Sequence, residues 1–385
     1  MKRIFYFALV ALMLIPAASC SQRVLCAGGM PVTGYEEFAD TLPDIIKKIE
    51  VIPLEVTNNS MLKGGIGQVE CVNSSYIVRD ESERIFRFSS KGKYLNRIGN
   101  KGRAEAEYLR VDTFMIDSLN RVVILDGASD KLLIFNPDGT FVKVIRFPSG
   151  TFTLGFINAG VQLKGDNILV NDRIYNHGNA LYSLLSTHEK KKKEIANTPL
   201  RSPEVACYIG EHPISMWKGH LKFLKPFDKR IYTLNDKDEI VPVMTIATSK
   251  KLAGDDILSK PKETYQIYYD VKKKGYFEGF TSIFETEKYI LLDNWHNDEF
   301  LIDKSTMSGY KIGNDKIINS MLMIPCMHII GSTSDSFISG MGYWTLMSVN
   351  SFFDNMPGYK KPEFLQKINS FPKDANPCLV KFVMK

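Results

Sequence analysis

The feature that most restricts how this chain can fold is a pattern written twice, 47 residues apart. The first copy reads Tyr76-Ile77-Val78-Arg79-Asp80, then Ile85-Phe86-Arg87-Phe88, then Lys91-Gly92-Lys93-Tyr94-Leu95. The second reads Val123-Ile124-Leu125-Asp126, then Leu132-Leu133-Ile134-Phe135, then Asp138-Gly139-Thr140-Phe141-Val142. Phe88 and Phe135 keep phase, as do Gly92 and Gly139. Short runs rich in β-branched and aromatic residues read as strands, and the glycines between them as tight turns. A period of this length predicts the blade of a β-propeller, a four-stranded antiparallel sheet.

The same grammar extends along the chain and predicts an all-β, six-bladed propeller over residues 44–385. Blade one spans Val69 to Ile98 and blade two Phe114 to Ile145. Blade three is fainter, from Phe156 to Ala196, and blade four runs from Ile214 to Ile246. Residues 252–274 are charged and lack alternation, so they read as an insertion with a short helix over Glu263 to Lys273. Blade five runs from Tyr276 to Ile312. Blade six takes Cys326 to Ile330, Phe337 to Ser339, a third run at Trp344 to Val349 and the last strand Cys378 to Val383. A second helix is expected where Pro362 opens Glu363 to Ile368. The run Ile45 to Leu54 stands too far before blade one to belong to it. It is expected to close the ring by joining the last blade, which removes an open sheet edge.

The N-terminus carries Lys2 and Arg3, an apolar stretch from Ile4 to Ile15, then Pro16-Ala17-Ala18-Ser19-Cys20. The apolar stretch is shorter than the roughly 20 residues a membrane span needs, so residues 1–19 read as a secretory signal. Small residues directly before a cysteine resemble a bacterial lipobox, which would make Cys20 the lipid-bearing first residue of the mature chain; the alternative is ordinary signal cleavage with Cys20 as a bystander. No acidic residue follows Cys20 closely, and the expected address is the outer membrane. Residues 20–43 read as a tether.

A formal net charge of +6, reduced when Lys2 and Arg3 leave with the signal, gives no clustered basic stripe of the kind nucleic acid requires. Lys190-Lys191-Lys192-Lys193 is flanked by Glu189 and Glu194 and reads as a solvated hairpin tip. Besides Cys20 there are Cys26, Cys71, Cys207, Cys326 and Cys378, whose spacing fits no zinc pattern. Cys71, Cys326 and Cys378 sit in apolar runs and are expected to be buried thiols.

Arg97-Ile98-Gly99-Asn100-Lys101-Gly102-Arg103-Ala104-Glu105-Ala106-Glu107-Tyr108 resembles a signature element of the six-bladed β-propeller lipoproteins of Bacteroides-type bacteria, a family related to NHL-repeat propellers. Ala104-Glu105-Ala106 stand where that element has Gly-Pro-Gly. Ile52-Pro53-Leu54-Glu55 resembles the family's opening strand, and Asp374-Ala375-Asn376-Pro377-Cys378-Leu379-Val380 its closing one. The resemblance implies the fold and the envelope address, and carries no chemistry.

In an antiparallel blade the links between blades and the 2–3 hairpins emerge on one rim, and the 1–2 and 3–4 turns on the other. The first rim is where binding is expected. It gathers Arg103, Glu105, Glu107, Tyr108, Asp228, Trp295 and His296. Arg103 suits an anionic group, and Trp295 with His296 offers a stacking plane and a titratable donor. Each has a structural alternative: Tyr108 packing between blades, and Trp295 covering a blade end. Asp80, Asp126 and Asp172 recur at the end of strand two in successive blades, which points to carboxylates accepting backbone N–H groups in the turns. Neither a H-x-x-x-H pair nor a G-x-S-x-G elbow occurs. The expectation is therefore a binding lipoprotein without cofactor or metal, its partner a carbohydrate, a peptide or an envelope protein in a nutrient-uptake assembly. The alternative is a metal-dependent hydrolase or lyase working in the central channel.

Overall fold

The computed structural model describes residues 32–34, 45–152, 156–173, 180–197, 212–259, 264–296, 299–312, 328–355 and 373–385. Cys20, Cys26, Cys207, Cys326 and the Pro362 helix lie outside these residues.

Six antiparallel sheets follow one another around a ring. Strands β1 (Val32–Gly34) and β2 (Ile46–Pro53) precede the first sheet, which is β3 (Ile66–Val72), β4 (Ser75–Asp80), β5 (Ile85–Ser89) and β6 (Tyr94–Ile98). A small parallel clip, β7 (Asn100–Lys101) with β8 (Glu107–Tyr108), leads to the second sheet. That sheet is β9 (Thr113–Ile116), β10 (Val122–Asp126), β11 (Lys131–Phe135) and β12 (Phe141–Arg146). The third is β13 (Phe156–Gln162), β14 (Asn167–Arg173), β15 (Ala180–Ser186) and β16 (Lys191–Asn197). The fourth is β17 (Ile214–Trp217), β18 (His220–Leu224), β19 (Arg230–Leu234) and β20 (Ile240–Ala247). Helices α1 (Asp255–Leu258) and α2 (Thr264–Lys273) precede the fifth sheet, β21 (Ser282–Glu285), β22 (Tyr289–Asp293), β23 (Glu299–Asp303) and β24 (Gly309–Ile312). The sixth contains β25 (Ile329–Ser332), β26 (Ser336–Met341) and, after α3 (Tyr343–Asp354), β27 (Cys378–Met384). Its outer strand is β2, paired antiparallel with β27 from Ile46↔Met384 to Pro53↔Cys378.

Burial explains the ring. Among the described residues the apolar side chains fall into six clusters, one at each interface between neighbouring sheets. Phe86 and Phe88 of the first sheet pack with Ile330, Ile338 and Leu379 of the sixth. One blade on, Phe135 packs with Ile77, Ile85 and Tyr108. The phase shared by Phe88 and Phe135 is thus a shared role, each ring filling the interface with the preceding blade. The glycines share a role too. Gly92 (φ +78°) and Gly139 (φ +89°) adopt the left-handed conformation in which a side chain is strained. A Cβ on Gly92 would lie 1.9 Å from the Pro53 carbonyl oxygen in β2, and one on Gly139 2.7 Å from that of Arg97 in β6. Towards blade one, β2 therefore stands as β6 stands towards blade two.

The sequence elements at the two ends of the chain meet here. Glu55 accepts a hydrogen bond from the Tyr94 N–H (2.9 Å), and its own N–H donates to the Gly92 carbonyl (2.9 Å). Buried Asn376 donates to the carbonyls of Glu55 and Ser60 and accepts from the Leu62 N–H. These bonds tie the link after β2 to the entry of β27.

Two expectations need correction. Trp344 to Val349 is the first half of α3, not a strand, and the third place in the sixth sheet belongs to the almost continuously buried β27. In α3 Leu346 is buried while Trp344 stays 67% exposed, and the Leu346 N–H donates to the Gly342 carbonyl, an i to i−4 helical bond. Cys71, two residues before the β3–β4 turn, is exposed; Cys378 is buried, and both are free thiols. Part of the segment read as tether also forms structure, since β1 pairs in parallel with the outer edge of β20.

Candidate functional site

The two rims of the ring differ sharply in their connections. On one rim every described turn is short, from residues 73–74 between β3 and β4 to residues 235–239 between β19 and β20. On the other lie residues 54–65, 99–112 and the insertions that begin at residues 248 and 342, which carry the three α-helices found among the described residues. The second rim is where the sequence placed the candidate site.

At that end of the channel the first strands of the first four sheets enclose a cavity of about 200 Å³. Gln68 and Glu70 come from β3, Asp112 from the entry to β9, Gly160 from β13 and His212 from the entry to β17. The strand register fixes the polar lining. Gln68 donates to the Phe114 carbonyl (2.7 Å), and Arg79 reaches across to the carbonyls of Val111 (3.2 Å) and Asp112 (2.9 Å). These bonds tie β3 and β4 to β9 and the residues that enter it. Gly160 keeps the wall thin, because a Cβ there would meet the Met115 side chain at 2.9 Å.

Both acids are held away from their ordinary titration. Burial pushes the Glu70 carboxyl up to about 7, partly offset by a hydrogen bond with Gln68. Burial also raises Asp112 to about 6, against the pull of Arg110 and of the Gly127 N–H. Asp112 is fully buried against Arg110 and the Gly127 N–H, so the carboxyl the cavity can present to a ligand, neutral or ionised over a narrow pH range, is that of Glu70. A carboxyl whose pKa is higher in the folded than in the unfolded chain stabilises most when protonated, and that stability is lost as pH rises from about 4.5 through 7. Glu70→Gln should accordingly lose less stability than the parent between pH 5 and pH 8. The expected gap at pH 8 is on the order of 1–2 kcal/mol, read by denaturant titration. Parallel pH profiles would show that Glu70 titrates normally.

The residues anticipated from sequence are distributed over this rim. Arg103 and Glu105 are exposed at the tip of the β7–β8 clip. Glu107 builds the clip: its carboxylate accepts the Ala104 N–H (2.9 Å) and its own N–H donates to the Ala104 carbonyl (3.1 Å). The turn thus closes without glycine at 104 or 106. Tyr108 is fully buried between the first two blades. Trp295 stacks on Tyr268 of α2, centroids 4.6 Å apart and planes within 3°, and Tyr268 in turn meets Phe227. His296 Nδ1 lies 2.5 Å from Glu278, which also accepts from Asn294 (2.9 Å). Trp295 and His296 thereby fasten the 248–281 insertion to the fifth blade. Asp228 is engaged by Arg230 and Tyr232.

Asp80 and Asp126 accept backbone N–H groups as the repeat implied, from Lys63 and Arg84 in one case and Leu109 in the other. Asp172 differs, bonding the Ser183 hydroxyl (2.5 Å) and Lys192 (2.7 Å). Among the described residues no three of His, Cys, Asp and Glu are grouped so as to hold a metal ion. Glu70 and Asp112 were not singled out from sequence; the signal available was a carboxylate set within a first strand, the one that borders the channel.

With the geometry established, comparison with known proteins identifies the family. The domain of unknown function DUF4934 matches residues 36–382. The chain belongs to the DUF4934 family. Among solved structures it is similar to a Bacteroides fragilis protein described as exported, with 19% identity, a TM-score of 0.67, and coverage of 92% of this chain and 99% of that one. A DUF4221 family member from Bacteroides vulgatus gives 11% identity and a TM-score of 0.52, covering 89% of this chain and 98% of the other. At these identities the likeness is one of fold. No curated protein matches the chain. The three signature segments of this DUF4934 member thus have structural work: Glu55 and Asn376 tie the ends of the ring, and Gly99 to Tyr108 form the clip between blades.

Proposed function

We propose that this DUF4934 protein is an exported, non-enzymatic β-propeller of the cell envelope, anchored through Cys20 in the outer membrane, that binds its partner on the long-connection rim. The observation that carries this reading is the asymmetry of the rims. Connections on one side are kept to a few residues, while the helical insertions and the polar cavity share the other. Rigid sheets hold these segments in place, as binding loops are held on other scaffolds. The exported description of the Bacteroides fragilis structure supports the address.

The cavity has room for a group about the size of a sugar ring or an amine-bearing side chain. Glu70 and the Gln68 amide would orient its hydroxyl or ammonium hydrogens. Exposed Arg103 and the exposed indole of Trp344 would contact the remainder of a carbohydrate, a peptide or an envelope protein. A place in a nutrient-uptake assembly fits such a surface. Two experiments test the reading. Cys20→Ala should move the protein from the membrane to the soluble fraction, and continued membrane residence would remove the anchor. Glycan and peptide arrays probed with the mature chain test the rim.

A further inference from the structure

We infer that the short-turn rim is the surface that faces the membrane, and that the long-connection rim points away from it. The inference rests on the anchor at Cys20 proposed above and on the direction of β1. Strand β20 runs from the short turn at residues 235–239 towards the long connection at 248–281. Strand β1 lies parallel to it, with Val32 opposite Thr245 and Gly34 opposite Ala247. Traced backwards from Val32 towards Cys20, the chain therefore points at the short-turn rim.

The lengths allow this side. From the level of Thr245 to that of Ile240 is about 17 Å at roughly 3.3 Å per residue. Residues 21–31 span at most about 40 Å when extended. The chain can descend past the rim and still hold it within about 25 Å of the lipid anchor. The opposite orientation would require the chain to reverse within residues 21–31 and would set the cavity mouth against the headgroups. The short-turn rim is also the flatter face, since none of its described turns exceeds five residues.

Charge does not set this orientation. Exposed Lys190, Lys191 and Lys193 at one tip are balanced by Asp236, Asp238 and Glu239 at the neighbouring one. The tether is what orients the ring, so the orientation should be the same on neutral and anionic lipid.

The three tryptophans of the sequence report on it. Trp217 ends β17 beside the short turn 218–219, whereas Trp295 and Trp344 belong to the other rim. The mature chain from residue 21, captured by an N-terminal hexahistidine on phosphatidylcholine vesicles with nickel-chelating lipid, reproduces the tether independently of lipidation. With nitroxide-labelled headgroups in the vesicle, tryptophan fluorescence should be quenched. Trp217→Phe should remove more than half of that quenching, and Trp344→Phe should leave it unchanged. Hydrogen exchange at residues 187–190 and 218–219 should slow on the vesicle, a readout that needs no substitution. Quenching lost in Trp344→Phe but kept in Trp217→Phe, equal shares between them, or no quenching at all would overturn the inference. Failure of the anchor alone shows separately, as flotation of the full-length chain that Cys20→Ala does not change.

Discussion

Removal of residues 1–54 should abolish the single cooperative unfolding transition of the propeller and drive the remaining chain into oligomers. Strand β2 and its flanks bury Ile45, Ile46, Ile52 and Leu54. At about 1.5–3 kcal/mol for each fully buried aliphatic side chain, their loss amounts to about 6–12 kcal/mol. That is comparable to the whole stability of a typical domain, about 5–15 kcal/mol. The deletion also uncovers β27, whose sequence Cys378-Leu379-Val380-Lys381-Phe382-Val383-Met384 would present an apolar unpaired edge. Calorimetry and size-exclusion chromatography read the two effects. A truncated chain that stays monomeric and melts within a few degrees of the parent would show that β2 does not hold the ring.

The second large effect is expected at Tyr108. Its ring is fully buried with Val111, Phe114, Ile85 and Phe135, at the joint between the first two blades. Tyr108→Ala should cost about 3–5 kcal/mol, the usual range for deleting a buried aromatic side chain. The hydroxyl behaves differently. It lies beside Arg97, whose guanidinium offsets part of the rise in pKa that burial causes. Tyr108→Phe relieves the desolvation of the hydroxyl and gives up its contact with Arg97, so it should change stability by no more than about 1 kcal/mol in either direction. Urea titration of both variants checks the pair. A Tyr108→Phe variant as damaged as Tyr108→Ala would mean that the hydroxyl, rather than the ring, secures the joint.

The architecture was legible because each blade repeats one packing problem. Phe88 and Phe135 show it in phase, and so do the glycines whose missing Cβ lets a turn rest on the outer strand of the preceding blade. The helix of the 248–281 insertion was readable from its lack of alternation. What misled was a short apolar run without a clear period. Trp344 to Val349 has strand-like composition, and only the competition for the third place in the sixth sheet, won by β27, makes it helical.

The placement of the candidate residues was legible by face and not by contact. Strand order alone placed Arg103, Trp295 and His296 on the long-connection rim. It could not show that Tyr268 would occupy one face of the Trp295 indole, because the partner comes from an insertion with no repeat to fix its register. Nor could it bring Glu70 and Asp112 together. Glu70 lies on the first strand of one blade and Asp112 just before the first strand of the next, and their convergence depends on how the two blades pack.

The central claim is that partners bind on the long-connection rim, and the most direct measurement is binding of the mature chain to its best array ligand by variants on the two rims. The account predicts that Glu70→Gln and Arg103→Ala weaken binding at least tenfold while thermal stability near pH 6 is retained, and that Lys191→Ala, on the opposite rim, binds as the parent does. Binding lost in Lys191→Ala and retained in both long-connection variants would contradict it.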